Sequence, residues 1–238
     1  MKSTSTFTKG LGRTKWAIGV LALSLLAAFG SWLDSIKSRW YVFDPDSLHA
    51  LARAAIAAAP HANDTSSMIS YIVANLTETY PSSLGVVRLN PNSPSSRREW
   101  VFNNAGGAMG AMYLIHASIT EYLIIFGTPL GTEGHSGIHT ADDYFMILSG
   151  EQWAFEPGAL DMERYPAGAL HLMPRGVVKQ YKMHKGCFAL EYARGWIPLM
   201  LPFGFADAFT STLDIFNMYH TVRITAREML LNLAIGKI

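Results

Sequence analysis

Three carboxylates stand where carboxylates are costly. Asp142 and Asp143 are adjacent and open directly onto the apolar run Tyr144-Phe-Met-Ile-Leu148, and Glu191 lies within Cys187-Phe-Ala-Leu-Glu-Tyr192. A buried, unpaired carboxylate is strongly disfavoured, so each must face water, find a partner or do chemistry. In a strand, successive side chains point to opposite faces, so only one of Asp142 and Asp143 can face a core. Glu191 has Arg194 three residues on, which offers a structural ion pair. The other reading is a carboxyl in an apolar pocket, where burial raises its pKa and a second acid raises it further. Such a pair holds one proton and one charge near neutral pH, the equipment of a general acid and base acting on an apolar substrate.

The spacing around these acids has a register of its own. His139, Asp143 and Gly150 fit the order histidine, three residues, acid, six residues, glycine, and Pro166-Ala-Gly168-Ala-Leu-His171 fits P-x-G-x-x-H. The two patterns, in this order and one hairpin apart, resemble the paired motifs of the cupin barrel. The resemblance implies that Asp143 and His171 point inward, and alternation then turns Asp142 outward. Cupin metal sites use three histidines and an acid, whereas Gly137 stands where the first histidine belongs. The remaining three ligand types could still hold a metal. A barrel without metal is the reading adopted, with a metal-dependent cupin enzyme as an alternative. His116, His135 and His139 read as hydrogen-bonded structure, and Glu121 as an acceptor for backbone donors inside the fold.

The elements that must position these groups follow from composition. Half of the 238 residues are hydrophobic, 16% are charged and the net charge is +1, which suits a membrane-associated chain and leaves no electrostatic case for nucleic acid. The single cysteine, Cys187, excludes an internal disulfide framework. Lys2, Lys9, Arg13 and Lys15 precede an uncharged stretch over 16–33, with Trp16 and Trp32 near its ends. That reads as an uncleaved transmembrane anchor with a cytosolic N-terminus of residues 1–15, in preference to a cleaved signal peptide, whose apolar region is normally shorter. Residues 34–99 read as a helical lead-in, with Asp44 or Asp46 capping one helix, Pro45 in its first turn, and Met68, Ile72 and Leu76 at helical spacing in a second. Residues 100–197 break into short β-branched and aromatic runs between Gly and Pro turns, a compact β-barrel or sandwich. Ala105 to Ser118 fits either a helix or a bent strand. Residues 198–238 form two apolar helical segments split near Asp214, too interrupted to span a bilayer and suited to lie on one. The fold class is therefore mainly β with flanking helices.

Longer stretches carry a second resemblance. "NNAGGAMGAMYLIHASITEYLIIFGTPLGTEGHSG", "GEQWAFEPG", "LEYARGWIPLMLPFGFADAFTSTLD" and "YHTVRITAREM" closely resemble the fungal C-8 sterol isomerases, a family that includes the non-enzymatic sigma-1 receptor of animals. The match runs from the anchor to about Met229. It implies a single-pass protein of the endoplasmic reticulum membrane with a lumenal cupin-like barrel, two membrane-lying C-terminal helices and a homotrimer. It also implies a sterol substrate, a Δ8-to-Δ7 double-bond shift in ergosterol synthesis, no cofactor, and other sterol-pathway enzymes as partners. The receptor's pocket glutamate matches Glu191. Its pocket aspartate falls on Phe145, so the second acid here is assigned to Asp143, one pleat away, with Asp142 as its neighbour. Tyr122, Phe126, His171 and Tyr181 match pocket positions, and Phe145 and Trp153 are expected to line the same cavity. The alternative within the family is a ligand-binding receptor that leaves sterols unchanged.

Overall fold

The structure is a computed structural model that describes residues 5–62 and 64–238, with residues 5–14 by backbone alone. Lys2 lies outside the described residues, as do the side chains of Lys9 and Arg13. The chain divides into a unit of residues 1–39 and a unit of residues 40–238.

The first unit is a helix, α1 (Ser5–Ile36), without acidic residues in its first turn. Within Lys15–Trp40, 26 residues, an 18-residue window has a mean hydropathy of 1.9 and none of it is buried. At 1.5 Å per residue such a helix exceeds the ~30 Å hydrocarbon core. Among the described residues, this is the one helix long and apolar enough to cross a membrane.

The second unit begins with two capped helices. In α2 (Pro45–Ala58), the Asp44 side chain accepts the Ser47 N–H and Pro45 occupies the first turn. In α3 (Thr65–Thr79), Asp64 accepts the Ser67 N–H. Each cap satisfies donors that have no partner within the helix. Leu48, Ala52 and Ala55 of α2, and Met68, Ile72 and Leu76 of α3, form the buried faces.

Ten strands follow: β1 (Trp100–Ala105), β2 (Ala108–Ala117), β3 (Glu121–Thr128), β4 (Thr132–His135), β5 (Ala141–Ser149), β6 (Glu151–Phe155), β7 (Glu163–Pro166), β8 (Leu170–Met173), β9 (Gln180–Met183) and β10 (Cys187–Gly195). They make two antiparallel sheets, β1-β2-β3-β10-β5-β8 and β4-β9-β6-β7. The sheets share an interior but no ladder joins them, so the cupin-like barrel is open along its sides. The stretch Ala105–Ser118 resolves as a hairpin and a strand. Gly106 and Gly107 both take positive φ, as a tight two-residue hairpin requires, and a Cβ on Gly106 would lie 2.0 Å from the His135 carbonyl oxygen.

The large sheet is buried on both faces, which explains why runs such as Tyr122-Leu-Ile-Ile-Phe126 show no polar alternation. One set of side chains, including Tyr113, Leu123, Ile125, Met146, Leu190 and Tyr192, packs under α2 and α3. The alternate set, including Met112, Tyr122, Ile124, Phe126, Phe145, Ile147, Ala189 and Ala193, faces the barrel interior. Asp143 and Glu191 belong by position to this second set.

The chain ends in α4 (Ile197–Asp207), one π-helical turn over Ala208–Thr212, a left-handed Leu213 (φ 52°) and α5 (Ile215–Ala234), which Asp214 caps. The corner between them is apolar and exposed at Phe209, Leu213, Ile215, Phe216 and Tyr219. Asn217 of α5 reaches the edge strand β1, where its side-chain amide accepts from the Phe102 N–H (2.8 Å) and donates to the Phe102 carbonyl (2.6 Å). Glu121 holds the other end of the unit together. It accepts from the Val42 and Phe43 N–H groups and the Tyr192 hydroxyl, and pairs with the buried Lys237 at 2.8 Å.

Candidate active site

Strand register decides which acids meet. On the two sides of β10, Glu191 stands opposite Ile124 and Phe145, and Ala193 stands opposite Tyr122 and Asp143. Residues directly opposite share a face, so Asp143 and Glu191 are diagonal neighbours on the inner face. Asp142 stands opposite Arg194 on the outer face, 3.9 Å from its Nε, and accepts the Arg175 N–H. Arg194 also lies over the rings of Tyr41 and Tyr144, so the Glu191–Arg194 ion pair that the sequence offered does not form.

Asp143 is fully buried and neither of its oxygens has a hydrogen-bond partner. An ionisable neighbour is His139, from the loop before β5, whose Nδ1 lies 3.4 Å from Oδ2. Burial pulls the His139 imidazole down, but the Asp143 carboxylate and a hydrogen bond to the Ser136 carbonyl outweigh it and leave the group above its usual 6.5. Burial, and then the charge of Asp143, hold the Glu191 carboxyl well above the ordinary carboxylate range. Glu191 and His139 both border a cavity of about 120 Å³ between the barrel and the C-terminal helices. Tyr122, Met112 and Ile124 form its barrel wall, and Met200, Leu201 and Phe205 of α4 with Met218 and Thr221 of α5 form its roof. The Tyr122 hydroxyl, pushed up to about 12 by burial, sits 3.4 Å from the Thr225 hydroxyl and 3.5 Å from the Met112 sulfur.

The other residues singled out from the sequence divide into two groups. Phe126, Phe145, His171 and Tyr181 face the barrel interior but lie behind the cavity, in packed surroundings. Burial raises the Tyr181 hydroxyl most, followed by the charges of Glu191 and Asp143. His171 is buried, donates from Nδ1 to Gln152 Oε1 at 2.7 Å, and stacks on Tyr165; burial and then the Lys179 charge lower it to about 4. Trp153 is a correction. In β6 the inward positions are Gln152 and Ala154, so alternation turns Trp153 outward, against Arg164 and His184. Among the described residues, no three His, Cys, Asp or Glu side chains are arranged to hold a metal ion: His139 and Asp143 meet, but His171 stays with Gln152.

His139 is the site residue that the sequence reading assigned to structure. Its signal was there in the four-residue spacing to Asp143 and in the motif position it fills. The roof residues of α4 and α5 carry no motif; only the fold brings them over Glu191.

A family model described as "ERG2 and Sigma1 receptor like protein" matches residues 20–237. The C-8 sterol isomerase of Aspergillus fumigatus is 56% identical over 219 residues, covering 92% of this chain and 87% of that one. The sigma non-opioid intracellular receptor 1 of Gallus gallus is 34% identical over 220 residues, covering 92% and 91%. Among solved structures, an RmlC-like cupin from Shewanella frigidimarina overlaps 45% of this chain and 95% of its own at 14% identity, with a TM-score of 0.35. The chain belongs to the family of ERG2 and Sigma1-receptor-like proteins.

Proposed function

We propose that this protein is a C-8 sterol isomerase that moves the Δ8 double bond of a sterol to Δ7 through its buried carboxylate pair. The observation that carries the reading is Glu191: a carboxyl that burial and then Asp143 hold well above the ordinary carboxylate range, bordering a cavity walled with apolar side chains. Relatives named C-8 sterol isomerase at 51–58% identity over most of the chain support the same activity.

The chemistry requires no electron transfer. Glu191 gives its proton to C-9, forming a C–H bond from the C8=C9 π pair and leaving a cation at C-8. The new Glu191 carboxylate and Asp143 stabilise that cation electrostatically. Asp143 then removes a proton from C-7, and the electrons of that C–H bond become the C7=C8 double bond. No atom is gained or lost beyond the exchanged proton.

The cavity of about 120 Å³ is below the ~300–1,000 Å³ of small-molecule sites, so α4 and α5 must move apart to admit a fused-ring substrate. The exposed Phe209, Leu213, Ile215 and Phe216 at the corner between them support an opening toward a membrane surface, where sterols dissolve. With α1 as a single-pass anchor and its basic flank cytosolic, the barrel lies on the lumenal side of the endoplasmic reticulum membrane, where it assembles as a homotrimer beside other sterol-pathway enzymes.

The test is incubation of the detergent-solubilised full chain with a Δ8 sterol in D₂O, with and without a chelator, followed by mass spectrometry. The expected product is a Δ7 sterol with one deuterium at C-9, formed at equal rates in both arms. Unchanged sterol would refute the isomerase reading and favour a receptor. Loss of turnover with chelator would favour the metal-dependent cupin.

A further inference from the structure

The proposed reaction leaves the acids in exchanged states, and this inference rests on that reading. After one turnover Glu191 is an anion and Asp143 holds the proton taken from C-7. A second turnover needs the reverse. The two carboxyls cannot simply trade, because they are diagonal rather than opposite and both Asp143 oxygens lack a hydrogen-bond partner, Glu191 included. A third group has to carry the proton.

We infer that His139 is that group: it takes the proton from Asp143 after each turnover and passes it on, so that Glu191 is recharged through the cavity. Three observations support this. Its Nδ1 lies 3.4 Å from Asp143 Oδ2 and, like that oxygen, has no other partner. Catalytic contacts in ligand-free sites are commonly this long and shorten when substrate binds. The ring borders the same cavity as Glu191. Its side chain is 15% exposed while that of Asp143 is fully buried, so it is the member of the couple that meets water. His139 acts through Asp143 and does not touch the sterol carbons. It is a positioning and proton-returning residue, with the step Asp143–COOH + His139 → Asp143–COO⁻ + His139–H⁺, followed by proton release to water and reprotonation of Glu191.

The experiment compares single turnover, with enzyme in excess over a Δ8 sterol, against steady state, with sterol in excess. His139→Gln and His139→Ala should keep single-turnover rates within about threefold of the unmodified protein, while steady-state turnover falls about 100-fold, the scale of a lost general acid–base step. Added imidazole should restore part of the steady-state rate in His139→Ala. Steady-state turnover that stays normal overturns the inference, as does an equal fall in both regimes without imidazole rescue, which marks a structural role. Glu191→Gln, run alongside, must lose single turnover; if it does not, the carboxylate-pair reading fails whatever His139 does. A second measurement needs no variant. A sterol carrying deuterium at C-7 is converted in ordinary water. The label should wash out to solvent, and its reappearance at C-9 of product would show direct hand-over between the carboxyls and overturn the relay.

Discussion

Glu191→Gln should make the protein more stable while destroying its activity, and the gain should depend on pH in a calculable way. The native carboxyl is held well above 4.5 by burial and then by Asp143, whereas in the unfolded chain it ionises near 4.5. Below that value both states are protonated and the contribution of the group to stability is fully present. Above it the unfolded state releases a proton that the native state keeps, so stability is lost at about 1.4 kcal/mol per pH unit until the native pKa is reached. Glutamine has the same size and does not titrate. The unfolding free energy of the variant minus that of the unmodified protein should therefore be flat below about pH 4.5, then climb with that slope and level off. Any fixed packing cost of the amide shifts the whole curve without changing its shape. Each pH unit inside that window is about 1.4 kcal/mol, which at ~2–4 °C per kcal/mol for a chain of this size widens the melting-temperature gap by about 3–6 °C. Thermal unfolding by circular dichroism of both detergent-solubilised proteins from pH 4 to pH 8 measures it. A gap that does not change with pH would refute a buried, neutral Glu191, and with it the choice of Glu191 as proton donor.

Three further outcomes are expected. Asp143→Asn should cut kcat by about 100-fold or more, and Asp142→Asn by less than about threefold, because the first removes the inward base and the second an exposed partner of Arg194; the reverse order in the Δ8 sterol assay would overturn the assignment of faces. Lys237→Met should destabilise the protein by about 3–5 kcal/mol, since it leaves the fully buried Glu121 charge without its cation, and chemical denaturation would read this directly. Trp153→Ala should leave the KM for the Δ8 sterol unchanged, since its ring lies outside the barrel; a severalfold rise in KM would return it to the cavity wall.

Local rules reached part of this site. Alternation alone separates Asp143 from Asp142, because β5 keeps one register with β10 from Ala141 to Ile147, before a bulge near its end, and one inward position fixes the rest of that stretch. The caps of α2 and α3 and the break at Asp214 are equally local, and each appears at the residue whose chemistry demands it. Trp153 shows the limit. A five-residue strand offers little pattern, and an error of one position reverses every side chain. His139 sits on a loop, where no period speaks for its direction. Phe126, Phe145, His171 and Tyr181 do face inward, but whether an inward residue touches a cavity or merely fills the core depends on what packs opposite. Here that is decided by α4 and α5, which come from the far end of the chain.

The contact between Asn217 and Phe102 has a consequence beyond holding α5 in place. β1 is the outer strand of the large sheet, and its free backbone groups are a template on which another chain can continue the sheet. A single side-chain amide, donating and accepting at one residue, reproduces one rung of such a pairing and occupies it. If the helix hairpin lifts to admit a substrate, as proposed, it is also the guard of a sticky edge. An opening that breaks this rung would expose the strand to self-association, which ties the proposed entry of substrate to protection of the sheet.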